Sequence, residues 1–142
     1  MKKTILLLCL LFGSLLTYAQ KYMNVTHLQP GVYNEYSKTW KWGKTEAIDL
    51  QITLSGSDIY VNDKAETHVR TYEDLGSKTS YDEDGDKYTL HTWRAIDEKQ
   101  RKCLFLMTFF QDLKLEIYTI VYSDYGFRYY INTSKGIDKF VN

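Results

Sequence analysis

Ala47-Ile48-Asp49-Leu50-Gln51-Ile52-Thr53-Leu54, followed by Ser55-Gly56-Ser57 and Asp58-Ile59-Tyr60-Val61, decides the reading of the fold. Ile48, Leu50, Ile52 and Leu54 alternate with Asp49, Gln51 and Thr53, the period of two that buries one face of a β-strand and wets the other. Ser55-Gly56-Ser57 reverses the chain, and Ile59 and Val61 repeat the alternation on the way back.

Working outward, the same pattern predicts strands at 88–96, 102–110, 115–122 and 127–131. The connectors 97–100, 111–114 and 123–126 suit hairpins and are too short for the helix of a parallel crossover. Segment 62–75 fits two periods. Asp63 and Glu66 have capping-box spacing, with Ala65, Val69 and Tyr72 on one helical face. Thr67-His68-Val69-Arg70-Thr71-Tyr72, however, is rich in β-branched residues, and strand is the preferred reading. Residues 38–42 supply one more strand, whereas Pro30-Gly31 marks a turn in a leading segment at 22–36. The expected fold is all-β: an antiparallel meander of about seven or eight strands forming a small closed or partly closed barrel, with a two-layer β-sandwich as the alternative.

The 142 residues are 44% hydrophobic and 15% aromatic, with 18 basic residues against 18 acidic ones. That balance suits one folded domain, and without a basic block it lacks the electrostatic footprint that nucleic acid requires. Residues 1–19 read as a secretory signal, with Lys2 and Lys3 ahead of the apolar run Ile5 to Phe12 and a small-residue exit at Ala19. The run is too short to span a bilayer. Residues 20–142 then form the single all-β domain, exported to the periplasm or beyond the cell, and the signal has a bacterial look. Cys103 is the one cysteine of that domain, so no internal disulfide is expected, and its apolar setting in Cys103-Leu104-Phe105-Leu106-Met107 reads as a buried thiol.

No constellation of catalytic groups stands out. Asp82-Glu83-Asp84-Gly85-Asp86 resembles a calcium loop, but Lys87 and Trp93 stand where an EF-hand needs glycine and a bidentate glutamate. It reads as a hairpin turn. His27, His68 and His91 have no metal-ligand spacing, and no Gly-x-Ser-x-Gly elbow is present. The sequence therefore predicts no catalytic residues, no metal and no cofactor.

The aromatic residues carry what functional signal there is. Trp40 and Trp42 would share one face of an extended strand, about 6.8 Å apart along it, and with Trp93 they are the candidate ligand-binding residues for a small apolar or sugar-like molecule. Residues 102–110 are apolar on both faces, so Phe105 and Phe109 are expected to be buried. The cover for the outer face would be the leading segment, the carboxyl tail around Ile137 and Phe140, or a second copy in a homodimer. Phe105, Phe109, Tyr118, Tyr122 and Tyr130 are accordingly candidate interface residues, the tyrosines as an exposed ladder. In size, export signal and meander the chain resembles lipocalin-like barrels, although it has Trp40-Lys41-Trp42-Gly43 where those carry Gly-x-Trp at the first strand. That resemblance implies an architecture and transfers no site. The expected function is non-enzymatic binding of a small ligand, with a protein-contact module of the cell envelope as the alternative.

Overall fold

The computed structural model describes residues 20–131 and 135–141, so the signal read at 1–19 lies outside the described residues. Nine strands follow one another: β1 (Lys21–Asn34), β2 (Thr39–Trp42), β3 (Glu46–Ser55), β4 (Asp58–Val61), β5 (Thr67–Tyr81), β6 (Lys87–Asp97), β7 (Lys102–Phe110), β8 (Leu115–Val121) and β9 (Tyr125–Ile131), with a 3-10 helix at Lys135–Lys139. They form one antiparallel sheet in which each strand from β3 onward pairs with the next. A further pairing of β1 with β9 joins the ends, making a barrel-like ring of eight strands.

Residues 22–36, expected as a leading segment with a turn, are instead most of β1. One edge of β1 pairs with β9, while the other pairs with β3 through 21–28 and with β2 through 31–34. Pro30 falls in the gap between β3 and β2, where its carbonyl accepts the Gly43 N–H at 2.7 Å. In an antiparallel strand a residue's N–H and C=O point to the same side, so the donor that proline lacks would have pointed into this gap. The strand continues because nothing there needs that donor.

Segment 62–75 resolves as a turn leading into β5. The Asp63 carboxylate accepts the backbone N–H groups of Ala65 and Thr67, both at 3.1 Å, capping the turn and not a helix. Inside the ring, Met23, Val25, Leu50, Ile52, Ile59, Val61, Val69, Ala95, Phe105, Tyr118, Ile120 and Tyr129 make the main core. Leu50, Ile52, Ile59 and Val61 are the residues whose alternation marked one face in the sequence.

A second, smaller core lies outside the ring. Phe110, Leu115, Ile117 and Tyr130 are covered by Ile137 of the 3-10 helix, with Leu113 and Phe140 packed alongside. The carboxyl tail is thus the cover for one end of the outer face. Lys139 pins it down: its ammonium is ion-paired with Asp82, Asp84 and Asp86 in the β5–β6 turn.

Candidate functional site

The outer faces of β6, β7, β8 and β9 align in rows. Leu90, Thr108, Ile117 and Tyr130 form one row; Thr92, Leu106, Thr119 and Arg128 the next; Arg94, Leu104, Val121 and Gly126 a third. The third row continues across the β9–β1 pair to Gly31, which faces Trp42 on β2. Two glycines side by side leave a trough. Trp42 fills it, since a Cβ on Gly31 would come within 2.5 Å of its ring, and Trp40 lies 3.6 Å from where a Gly126 Cβ would stand. The two indoles share one face of the strand, as their spacing predicts, and stack on each other with centroids 5.5 Å apart.

These tryptophans form one end of a groove of about 400 Å³, whose other end is Phe140. Its floor is Leu90, Leu104, Leu106, Thr108, Ile117, Thr119 and Val121, with Arg128 at the side. Leu104 remains 37% exposed, so the tail covers only part of the apolar outer face of β7. The Arg128 guanidinium lies over the Trp42 ring at 3.7 Å. One of its N–H groups reaches Gln29 Oε1 at 3.4 Å, and the Tyr130 hydroxyl donates to that same oxygen at 2.8 Å. Burial pulls the Arg128 pKa below its ordinary value.

The remaining candidates lie elsewhere. Trp93 is on the opposite face of the sheet, inside the ring, stacked on His91 at 3.8 Å and packed against Phe105. The three tryptophans therefore do not line one site. Phe105 is buried in the ring's own core and not at an interface, and Phe109, at the end of the same strand, is 39% exposed where burial was expected. Nor is there an exposed tyrosine ladder. Tyr118 and Tyr122 point into the ring, where burial raises their pKa values, whereas Tyr130 points outward beneath the tail. Cross-strand register separates them, Ile117 facing Tyr130 and Tyr118 facing Tyr129. Cys103 is a free, buried thiol whose pKa rises to about 11, through burial first and the nearby Asp97 charge second.

A second cleft, of about 310 Å³, opens at the end of the ring where the β4–β5 and β6–β7 turns meet Ile120, Tyr122, Tyr125, Phe127 and Tyr129. Its charges satisfy one another: Asp97 accepts from Arg101 Nε at 2.7 Å and from the Tyr122 hydroxyl at 3.0 Å, and Arg101 also donates to the Tyr125 hydroxyl. His68 is held between Asp58 and Glu98 at 2.9 and 3.2 Å. These contacts tie turns to strands.

Among the described residues, the one convergence of three potential metal ligands is Asp82, Asp84 and Asp86, whose carboxylate oxygens lie within 4.8 Å of one another. They surround the Lys139 ammonium. Although burial opposes it, hydrogen bonds from Lys139 to Asp82, Asp86 and Asp84 raise the lysine pKa. Among the described residues no helix is long and apolar enough to cross a membrane.

Spacing alone points to Trp40 and Trp42 but not to Arg128. A lone arginine in Phe127-Arg128-Tyr129 carries no local signal, and its setting depends on Trp42 and Gln29, far away along the chain. No protein-family model, no curated protein and no solved structure matches this chain.

Proposed function

We propose that this protein is a non-enzymatic binding protein that holds a small, largely apolar ligand in the outer groove between the Trp40–Trp42 stack and Phe140. The observation that carries this reading is the groove itself: leucine, isoleucine and valine side chains on the outside of a small ring, left partly open, and bounded at both ends by aromatic residues. At about 400 Å³ it falls within the roughly 300–1,000 Å³ typical of small-molecule sites. An apolar ligand suits it better than a sugar, because leucine, isoleucine, valine and phenylalanine side chains make up more of the lining than Thr108, Thr119, Tyr88 and Arg128 do. Export is part of the proposal and rests on the character of residues 1–19.

The test uses intrinsic tryptophan fluorescence during titration with 1-dodecanol below its solubility limit. A saturable spectral change is expected from Trp40 and Trp42, against a constant background from Trp93 inside the ring. Leu104→Glu, a change at an exposed position that spares the core, should abolish it. No saturable change in the folded protein, or an undiminished one in Leu104→Glu, would refute the groove as the binding site.

A further inference from the structure

Four arginines stand in the described residues, and three have carboxylate partners: Arg70 with Asp58 at 2.9 Å, Arg94 with Glu73 at 3.2 Å and Arg101 with Asp97 at 2.7 Å. Those three side chains are at least half exposed. Arg128 differs. It is only half-buried, and among the described residues no carboxylate lies within 4.0 Å of it. Withdrawing a cation from water without an opposite charge is costly, so a fold rarely places one so unless something else supplies the anion.

The surroundings orient that cation. One face of the guanidinium is occupied by the Trp42 ring, which fixes its plane, and the 3.4 Å contact to Gln29 together with an interaction with the Tyr130 hydroxyl uses part of its set of five N–H donors. A planar fork held in this way matches the two oxygens of a carboxylate. Arg128 is also at the side of the groove, not its middle. From Arg128 the second row crosses Thr119 on β8 and Leu106 on β7 toward β6, with Val121, Leu104 and Leu90 alongside. Three inter-strand spacings make this path about 14 Å long, polar at the β9 end and apolar beyond.

We propose that the groove is built for a single-chain anionic amphiphile, a free long-chain carboxylate whose head group pairs with Arg128 and whose hydrocarbon tail lies across Leu106, Leu104 and Leu90. This rests on the binding function proposed above and adds the charge and polarity of the ligand. The carboxylate supplies the counter-charge that no described residue brings to Arg128, and the Thr119 hydroxyl stands beside the head group as a further donor. Charge complementarity also favours one direction of entry, since the β6 side of the groove holds no second unpaired cation in the structure described.

The experiment compares three probes of one tail length, dodecanoate, 1-dodecanol and dodecyltrimethylammonium, by tryptophan fluorescence below their micelle-forming concentrations at neutral pH. Dodecanoate is expected to bind the wild-type protein about tenfold tighter than 1-dodecanol, the order that a charge-assisted hydrogen bond contributes. The cationic amphiphile should bind most weakly. Arg128→Gln should weaken dodecanoate far more than 1-dodecanol and so erase the difference between acid and alcohol, and Arg128→Lys should restore part of that difference. Equal affinity for acid and alcohol in the wild-type protein overturns this inference and leaves the binding function standing. Binding of neither overturns both. Binding to phosphatidylglycerol vesicles without binding of dodecanoate would transfer the site to a membrane head group and overturn the free carboxylate. The wild-type comparison decides the matter even if Arg128→Gln fails to fold.

Discussion

Trp42 lies flat across Gly31, so close that a methyl group on the glycine would stand 2.5 Å from the ring, well inside any tolerable contact. Since Gly31 is itself paired on both edges, with Trp42 on β2 and Gly126 on β9, the ring must be what moves. Gly31→Ala is therefore expected to lift Trp42 off the sheet, unstack it from Arg128 and Trp40, and destabilise the protein by about 1–3 kcal/mol, the range for overpacking a tight site. A red-shifted tryptophan emission and loss of 1-dodecanol binding, with the far-ultraviolet circular dichroism unchanged, would show it. An unaltered emission spectrum would mean that the close approach is not maintained in solution.

Phe105 is 2% exposed and sits between Trp93, at 5.7 Å, and Tyr118, at 5.6 Å edge to face. Truncation leaves a cavity in the middle of the ring. Phe105→Ala should cost roughly 3–5 kcal/mol in chemical denaturation. Phe109→Ala, on the same strand but half open to solvent at the strand end, should cost far less. Equal losses at the two positions would contradict the burial difference between them.

Acid should unfold this protein through its paired carboxylates. Burial raises the pKa of Asp97, but hydrogen bonds from the Arg101 backbone, the Tyr122 hydroxyl and the Arg101 guanidinium outweigh it and hold the group below the ordinary value. A carboxyl whose folded pKa lies below its unfolded value of about 3.9 stabilises the fold fully above that pH, and the contribution is lost as pH falls through the folded pKa. Asp58, Asp74 and Asp82 are shifted the same way. The melting temperature should therefore be nearly level from about pH 5 to 7 and drop below about pH 4. Asp97→Asn should lower stability at neutral pH by roughly 1.5–3 kcal/mol and reduce the acid-dependent drop. A variant with an unchanged acid limb would remove Asp97 from this account.

Calcium is expected to leave the melting temperature unchanged within error. The three aspartates of the β5–β6 turn already hold the Lys139 ammonium between them, and a cation must displace it before binding. Thermal scans with millimolar calcium and with chelator test this, because a tight site would stabilise the fold by mass action. A rise of several degrees would show that calcium outcompetes the lysine. Lys139→Ala should instead loosen the carboxyl tail, seen as faster proteolysis near residues 135–141.

The all-β fold class was legible because its signal is local. Alternation in Ile48 to Leu54, the turn at Ser55-Gly56-Ser57 and the short connectors of β6 to β9 each act over a few residues. The same local rules explain the misreading of 22–36. Pro30-Gly31 ordinarily breaks a strand, and it escapes doing so only because β1 changes partner from β3 to β2 at that point. The β1–β9 pairing that joins the sheet into a ring links residues about a hundred positions apart, and no periodicity announces it.

For the candidate site, sequence alone determined that Trp40 and Trp42 share a face and that the strand at 102–110 is apolar on both. It could not determine which face of which strand borders the interior, nor what lies beside the outer one. Side-chain alternation fixes two sets of residues but not their surroundings, and those come from strand order and register. Register put Trp93 inside and Tyr130 outside, and it placed Arg128 beside a tryptophan from β2 with no carboxylate of the described residues within reach. The chemistry of the groove is therefore a property of the assembled sheet, because burial and the presence or absence of a counter-charge arise from groups far apart in the chain.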